Sequence, residues 1–404
     1  MVNSKLIGGT LLMIGTTIGA GMLALPIATA KLGFPGAVLL FILCWLAMVT
    51  CAFLFLEAVL WLPFNSNMIS MAGATLGRLG QIVTWVVYLV LLYSILSSYV
   101  AGGGDLFHYL LAKQNIHVSN GFAACLFTLL FGTVVYFGIK SVDYVNRGLM
   151  FGKLGALLVL ILLMLPHVNF SHLDEGSLHY FLSPSSITVT AVAFGSLMII
   201  PSLRAYFGKD LVSLKKAIFI GMFIPLLCYI GWDLVISGVI PYSASPGLIQ
   251  IAQSDDSNSL LLATVSLLLN KKLVTILAQF FTSICMTTSF LSISLSLSDF
   301  LSDGLRTPKE GWGLPFIMVL TFLPPLVIEN LYPDAFLRGL NYAGVCCFIL
   351  MMLLPPLMVW SGRYYLKLPD KHAGSFTVPG GKPLLCILIA LAIFMIILGV
   401  NGLF

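Results

Sequence analysis

The chain of 404 residues is 59% hydrophobic and only 9% charged, with a mean hydropathy of +1.04. A water-soluble fold has no interior large enough to hide that much apolar surface, so the composition excludes a soluble protein and predicts a polytopic membrane protein. The formal net charge of +5 comes from single basic residues scattered between apolar segments, which indicates orientation in a lipid bilayer and argues against a nucleic-acid partner.

Apolar segments follow one another along the whole chain. A helix needs about 20 apolar residues to cross the hydrocarbon core of a bilayer. Eleven such segments cover residues 6–31, 36–62, 80–101, 121–140, 148–166, 187–204, 217–240, 273–299, 313–330, 339–361 and 384–403. They predict an all-α protein in which residues 1–404 form a single transmembrane domain of eleven helices.

The first segment has some features of a cleavable signal peptide. Lys5 precedes the apolar run, and Ala28-Thr29-Ala30 resembles a small-residue cleavage site. Against cleavage, the run is too long for the apolar part of a signal peptide and carries glycines in its middle. We therefore expect this segment to remain in the protein as its first membrane helix.

The same segment contains a cluster of residues that disfavour a regular helix, "GTTIGAGMLALP" at 15–26. An unwound turn at mid-depth frees backbone groups, and the dipoles of the two half-helix ends suit a carboxylate at one end and an ammonium group or cation at the other. The alternative is that Gly15 and Gly19 form a helix-packing face and that Pro26 only kinks the helix. Both interpretations remain open on this segment alone.

A second interruption lies in the sixth segment, "FGSLMIIPS" at 194–202. Because the two interrupted helices are five apart, the second enters the membrane from the opposite face. Residues 6–166 and 187–361 can then form an inverted repeat of five helices each, with 384–403 appended. Irregular backbone at membrane depth is tolerated only where it is buried or lines a cavity, so the pair of breaks predicts a shared central binding site.

Basic residues distribute unequally between the two sides of the predicted helices. With the amino terminus in the cytoplasm, most lysines and arginines fall on the cytoplasmic side. The outer side holds Lys31, Lys113, Lys271, Lys272 and Arg338. This asymmetry predicts a cytoplasmic amino terminus and, with eleven helices, a carboxyl terminus outside.

Two other functional classes have weaker support in the sequence. "AGGGDLF" at 101–107 matches the G-x-G-D pattern of intramembrane aspartyl proteases, with Asp105 and Asp233 as the imagined pair, yet no partner motif surrounds Asp233. A channel is usually built by subunit symmetry, whereas here both broken helices belong to one chain. The eight cysteines lie in apolar spans without metal-ligand spacing, so neither a metal nor a cofactor is expected.

Several stretches resemble one known family. They are "GTTIGAGMLALP", "FLFLEA" at 53–58, "TTSFL" at 287–291, "SDFLSD" at 298–303, "TFLPPL" at 321–326, "NYAGV" at 341–345 and "GGKP" at 380–383. They are similar to the bacterial hydroxy and aromatic amino acid permeases, the tyrosine-specific ones above all, in the amino acid-polyamine-organocation superfamily. The resemblance implies a LeuT-type fold with broken helices 1 and 6, eleven helices, and residence in the bacterial inner membrane with a periplasmic carboxyl terminus.

The resemblance also implies a substrate site. The broken first helix would hold the amino and carboxyl groups of an amino acid, and the sixth, third and eighth helices would line the same cavity. The residues implied are Thr16, Thr17, Gly19, Ala20, Gly21, Tyr93, Tyr99, Phe194, Gly195, Ser196 and Ser289. Tyr93 and Tyr99 are six residues apart, so both cannot point straight at one ligand. The sequence departs from the family at Leu197 and Met198, where the permeases tend to have histidine and glycine.

Relatives in the superfamily couple transport to an ion in two ways. In sodium-coupled relatives, backbone oxygens such as those at Gly15 and Ile18 and hydroxyls such as those of Thr288 and Ser289 hold the ion. In some proton-coupled relatives a lysine on helix 5 replaces that ion, and this chain has Lys153 there. A lysine is costly to bury and can exchange a proton during transport, although it can also snorkel to the headgroups.

Two acidic residues compete with Lys153 for the proton. Glu57 is a second candidate for proton coupling, unless it pairs with a cytoplasmic base or caps a helix. Asp233 is as well explained as a buried partner for a neighbouring helix. The sequence thus predicts a symporter that imports an aromatic amino acid with a proton by alternating access and is not an enzyme. Tyrosine is the favoured substrate, and tryptophan, phenylalanine and sodium coupling are the alternatives.

Overall fold

A computed structural model describes residues 4–19, 21–63, 66–243, 245, 247–254, 257–269, 272–307, 309, 311–332, 335–368 and 376–402. Across these residues every regular element is a helix. The α-helices are α1 (Ser4–Thr17), α2 (Gly21–Ala28), α3 (Phe34–Leu60), α4 (Met68–Ala112), α5 (Asn120–Tyr136), α6 (Ile139–Met164), α7 (Phe170–Leu173), α8 (Pro184–Ala193), α9 (Ile200–Phe207), α10 (Leu211–Val239), α11 (Leu248–Ala252), α12 (Ser257–Leu269), α13 (Lys272–Leu305), α14 (Gly313–Leu331), α15 (Ala335–Cys347), α16 (Leu354–Tyr364) and α17 (Gly381–Asn401).

In the part of the chain that the structure describes, nine helical stretches are long and apolar enough to cross a membrane. They are Phe34–Leu60, Met68–Ala112, Tyr144–His167, Pro184–Phe207, Leu211–Val239, Lys272–Leu305, Gly313–Leu331, Phe336–Tyr364 and Gly381–Asn401. The bent pair α1 and α2 makes a tenth if it counts as one span. The all-helical membrane architecture is confirmed, whereas the count of eleven is not, because the predicted segment 121–140 forms the 17-residue helix α5. That helix is about 25 Å long, slightly short of the hydrocarbon core.

Two glycines with positive φ shape the helices, one at a bend and one at a boundary. Gly77 (φ 75°) bends the chain inside α4, so the predicted segment 80–101 is preceded by a short arm that starts at Met68. The Asn67 side chain accepts the Ser70 N–H at 2.8 Å and caps that arm. Gly138 (φ 85°) separates α5 from α6, since this left-handed backbone region is strained for residues with a Cβ.

The two interrupted spans lie side by side in opposite directions. The first half of one, α1, packs on the second half of the other, α9, while α2 packs on α8. A Cβ added at Gly21 would lie 3.7 Å from Cα of Ala193, so the two backbones approach closely at the break. Pairing of first halves with second halves requires antiparallel spans.

The interrupted spans also lie in the interior of the helix bundle. Helix α10 runs along α1 and α3, α6 packs against α13, and α4 packs against α15. The span Pro184–Phe207 is 72% buried over its most apolar window, whereas Gly381–Asn401 is 22% buried. The breaks are therefore surrounded by protein, which is one of the two settings in which irregular backbone is tolerated at membrane depth.

Candidate functional site

The first break separates α1 from α2, and the two helix axes differ by 51°. It falls within the glycine-rich stretch that predicted it: α1 ends at Thr17, and the Met22 N–H bonds to the Gly19 carbonyl at 3.2 Å. The hydroxyls of Thr16 and Thr17 donate to the Met13 carbonyl at 2.8 and 2.7 Å. Ala20 lies outside the described residues.

The glycines at this break let other helices approach it. A Cβ at Gly15 would lie 2.0 Å from Cε of Met150 on α6, and a Cβ at Gly19 would lie 2.7 Å from Oγ of Ser289 on α13. The two glycines therefore face different helices and do not form one packing face. The geometry brings α6 and α13 directly against the first break.

The second break follows α8. The Gly195 N–H bonds to the Val192 carbonyl at 2.9 Å, and the Ser196 N–H bonds to the Phe194 carbonyl at 2.8 Å, before a 3₁₀ turn covers Leu197–Ile199. The Phe194 side chain is fully buried. Among the described residues, the buried hydroxyl of Ser196 has no hydrogen-bond partner. A buried polar group left unpaired is costly, so this hydroxyl is available to a ligand.

Lys153 of α6 reaches the first break. Its Nζ donates a hydrogen bond to the Ile18 carbonyl at 2.6 Å, and its side chain is only 1% exposed. The side chain thus points into the protein and does not snorkel to the membrane surface. Cys285 of α13 lies close enough to interact electrostatically with the ammonium group. Within the described ranges no carboxylate pairs with Lys153.

Helices α4 and α13 complete the cluster. The side chains of Tyr99 and Ser289 hydrogen-bond to each other beside Gly19. The Thr288 hydroxyl donates to the Ile284 carbonyl of its own helix at 2.8 Å. Tyr93 is not part of the cluster, because its hydroxyl donates to the Leu320 carbonyl of α14 at 2.8 Å. The helical rotation between the two tyrosines thus places Tyr99 at the break and Tyr93 against a neighbouring helix.

A tyrosine of α10 joins the two breaks. The Tyr229 hydroxyl lies 2.8 Å from the Thr17 carbonyl oxygen and 2.7 Å from the Ala193 carbonyl oxygen. Its ring packs edge-on against Phe194, with centroids 5.1 Å apart. Sequence reasoning did not single out this residue. The only signal for it is that a tyrosine in an apolar span needs a partner for its hydroxyl.

The two acidic candidates contact other parts of the chain. Both carboxylate oxygens of Glu57 bond to Arg363 of α16, at 2.7 and 2.6 Å, and the Val378 N–H bonds to Oε2 at 2.7 Å. Both carboxylate oxygens of Glu57 therefore accept hydrogen bonds, and Glu57 forms the ion pair with a basic residue that was the alternative to proton coupling. The Thr29 hydroxyl donates to Oδ1 of Asp233 at 3.4 Å. Among the described residues, Oδ2 of Asp233 has no hydrogen-bond partner.

One cavity of about 480 Å³ approaches the second break from one side of the membrane domain. It lies between the start of α4, α9 and the carboxyl-terminal half of α13. Its lining residues are Ser66, Asn67, Met68, Ile69, Tyr88, Met198, Pro201, Ser202, Ala205, Ser296, Asp299 and Phe300. Met198, where the sequence departs from the family pattern, is thus the point at which the cavity meets the break.

The sequence matches the tryptophan/tyrosine permease family over residues 2–399. The chain belongs to this family. The resemblance found in the motifs is thereby confirmed, and the chain is a multi-pass membrane protein of a bacterial amino acid permease family.

Three relatives of this permease are named for different amino acids. Tyrosine-specific transport system 1 of Haemophilus influenzae is 32% identical over 395 residues, covering 97% of this chain and 96% of the relative. The tryptophan-specific transport protein of the same species is 28% identical over 406 residues, covering 97% and 95%. Glutamine transporter 2 of Aliivibrio fischeri is 29% identical over 388 residues, covering 94% and 95%.

The ion pair between Glu57 and Arg363 is expected to stabilise the folded permease. Glu57→Gln leaves Arg363, only 12% exposed, without its counter-charge. An uncompensated buried charge costs about 3–5 kcal/mol, so the unfolding temperature should fall clearly. Thermal unfolding of the purified protein in detergent measures this.

The control is Asp299→Asn, which breaks the exposed ion pair with Lys309, where the aspartate is 56% exposed. That change should cost at most about 1 kcal/mol. Equal shifts in the two variants would contradict the structural role of Glu57. A stable Glu57→Gln protein that has lost proton-driven uptake would make Glu57 the coupling residue.

Proposed function

We propose that this permease is a secondary active symporter that imports an aromatic amino acid, tyrosine in the first place, together with a proton. The observation that carries the proposal is the 2.6 Å hydrogen bond from Nζ of Lys153 to the Ile18 carbonyl at the first break. It puts a protonatable group in contact with the same backbone turn that would hold the substrate. Binding of the amino acid and protonation of the lysine can then influence each other directly.

The lysine accounts for proton coupling better than the hydroxyl groups account for sodium coupling. A sodium site needs several oxygen atoms aimed at one point. Here an ammonium group already contacts the Ile18 carbonyl, and the Thr288 hydroxyl donates to its own helix. A buried lysine without a carboxylate partner is expensive in a membrane and is found there for a function. Lys153 is therefore the coupling residue in this proposal, and Glu57 is not.

The two breaks together suit a zwitterionic substrate. Half-helix ends expose backbone N–H groups for a carboxylate and carbonyls for an ammonium group. In this proposal these two groups are surrounded by Thr16, Thr17, Gly19, Gly21, Gly195 and Ser196. Tyr99 and Phe194 form the wall for an aromatic side chain, with Met198 adaptable against a ring.

The family and the antiparallel breaks support one topology for this proposal. Counting α1 with α2 as one span and α5 as another gives eleven spans, and residues 6–166 and 187–361 form the inverted repeat, with 384–403 appended. The amino terminus is cytoplasmic and the carboxyl terminus periplasmic, in the inner membrane of a bacterium. With that orientation the cavity at Met198 faces the cytoplasm, so the conformation is inward-facing.

Competition for uptake tests the substrate. Labelled tyrosine enters proteoliposomes under an inward proton gradient, with tyrosine, tryptophan, phenylalanine or glutamine as unlabelled competitor. We expect tyrosine to compete best, the other two aromatic amino acids less well, and glutamine least, because an amide side chain leaves the aromatic wall unfilled. Replacement of sodium by choline should change nothing.

Two results would contradict parts of this proposal. If accumulation of tyrosine requires sodium, tyrosine remains the substrate, but the coupling ion is sodium and not a proton. Glutamine uptake without any uptake of an aromatic amino acid would place the permease beside its glutamine-transporting relative.

A further inference from the structure

Tyr229 contacts the last residue of two different half-helices. Thr17 ends α1 and Ala193 ends α8, and both carbonyl oxygens lie within 2.8 Å of the same hydroxyl oxygen. The final carbonyls of a helix have no partner inside that helix. Both are buried here, and the tyrosine itself is fully buried. The hydroxyl therefore supplies a donor at the point where both helices are interrupted.

The hydroxyl has only one hydrogen for these two acceptors. It can donate to one carbonyl at a time, and a rotation of the O–H bond transfers the hydrogen bond to the other. If either half-helix end moves away, the bond with the remaining one is retained. A single side chain of α10 thus holds the two helix ends at one point.

Resting on the proposed function, we propose that Tyr229 is a positioning residue of the transport site. It keeps the carboxyl ends of α1 and α8 within reach of one shared donor, so that the open turns at residues 18–19 and 194–196 face the same space. It acts through the backbone of the two half-helices and has no need to touch the amino acid.

The test is Tyr229→Phe, which removes one oxygen atom and keeps the ring against Phe194. We expect the KM for tyrosine uptake to rise roughly tenfold, because a buried carbonyl loses its donor and the turns lose their mutual alignment. The maximal rate should change far less. Hydrogen exchange of the backbone amides in peptides covering 18–22 and 194–199, measured without substrate, should accelerate.

The matched control is Tyr93→Phe. It removes the same kind of bond, from a tyrosine hydroxyl to one carbonyl at 2.8 Å, at a place outside the site. KM and exchange at both breaks should stay at the values of the unmodified protein. 3-Fluorotyrosine at position 229 keeps the hydroxyl as a stronger donor and should give unchanged KM with exchange at the breaks equal or slower.

Two results would overturn the proposal. One is that Tyr229→Phe and Tyr93→Phe have the same KM for tyrosine and the same rate of amide hydrogen exchange at both breaks. The other is faster amide hydrogen exchange at the breaks when position 229 carries 3-fluorotyrosine. This result is informative even if Tyr229→Phe does not fold. Because exchange is measured without substrate or gradient, it remains interpretable if tyrosine is not the cargo, and absence of tyrosine uptake by the unmodified protein would count against the proposed function alone.

Discussion

Lys153→Gln is expected to abolish proton-driven accumulation of tyrosine while leaving exchange of tyrosine across the membrane intact. Glutamine keeps a polar N–H group on a side chain one atom shorter than lysine, but it cannot take up and release a proton. One pH unit stores about 1.4 kcal/mol per proton, which is a tenfold concentration ratio. Under an inward gradient of one pH unit, with the membrane potential clamped at zero and one proton entering per tyrosine, the unmodified protein should approach about tenfold accumulation and the variant about onefold.

The control for this variant is Lys216→Gln, at an exposed lysine near the start of α10. It should accumulate tyrosine like the unmodified protein. Counterflow at equal pH, in which unlabelled tyrosine inside drives entry of labelled tyrosine, should persist in Lys153→Gln. Full accumulation by Lys153→Gln would remove the lysine from the coupling mechanism.

Gly19→Leu is expected to abolish tyrosine binding without unfolding the protein. A Cβ at this position would lie 2.7 Å from Oγ of Ser289, which hydrogen-bonds to Tyr99, so a leucine fills the space beside the break. Overpacking of this kind costs about 1–3 kcal/mol, and a bulky side chain also occupies the proposed substrate volume. Affinity should fall by at least about a hundredfold, as measured by tyrosine-dependent thermal stabilisation.

Gly155→Leu is the matched control, because a Cβ there meets nothing within 4 Å and the residue is exposed on α6. It adds the same side chain and should leave binding unchanged. Size-exclusion profiles of the two variants report whether both are folded. Retained tyrosine binding in a folded Gly19→Leu protein would show that the substrate lies elsewhere.

Local sequence signals identified the breaks because their causes are local. Glycine and proline within an apolar run act on the chain near themselves, so the positions of both interruptions could be predicted. Lys153 stood out because a charge in an apolar span is rare. The structure gave it a partner at the first break, the Ile18 carbonyl.

Contacts between distant parts of the chain left weaker traces in the sequence. Tyr229 bonds to Thr17 and Ala193, which lie 212 and 36 residues away along the chain. Nothing in the apolar stretch around Tyr229 distinguishes this tyrosine from its neighbours. Glu57 could be assigned either to coupling or to an ion pair until Arg363, 306 residues away, was found beside it. The two tyrosines of α4 were known to face different directions, but only packing decided which one faced the break.

Proton entry together with tyrosine can be measured directly. Proteoliposomes loaded with a pH-sensitive dye, with no imposed gradient and the potential clamped at zero, receive tyrosine from outside. Coupled proton entry predicts acidification of the interior that depends on tyrosine, is independent of sodium and is absent in Lys153→Gln. Uptake of tyrosine without acidification, or only in the presence of sodium, would contradict it.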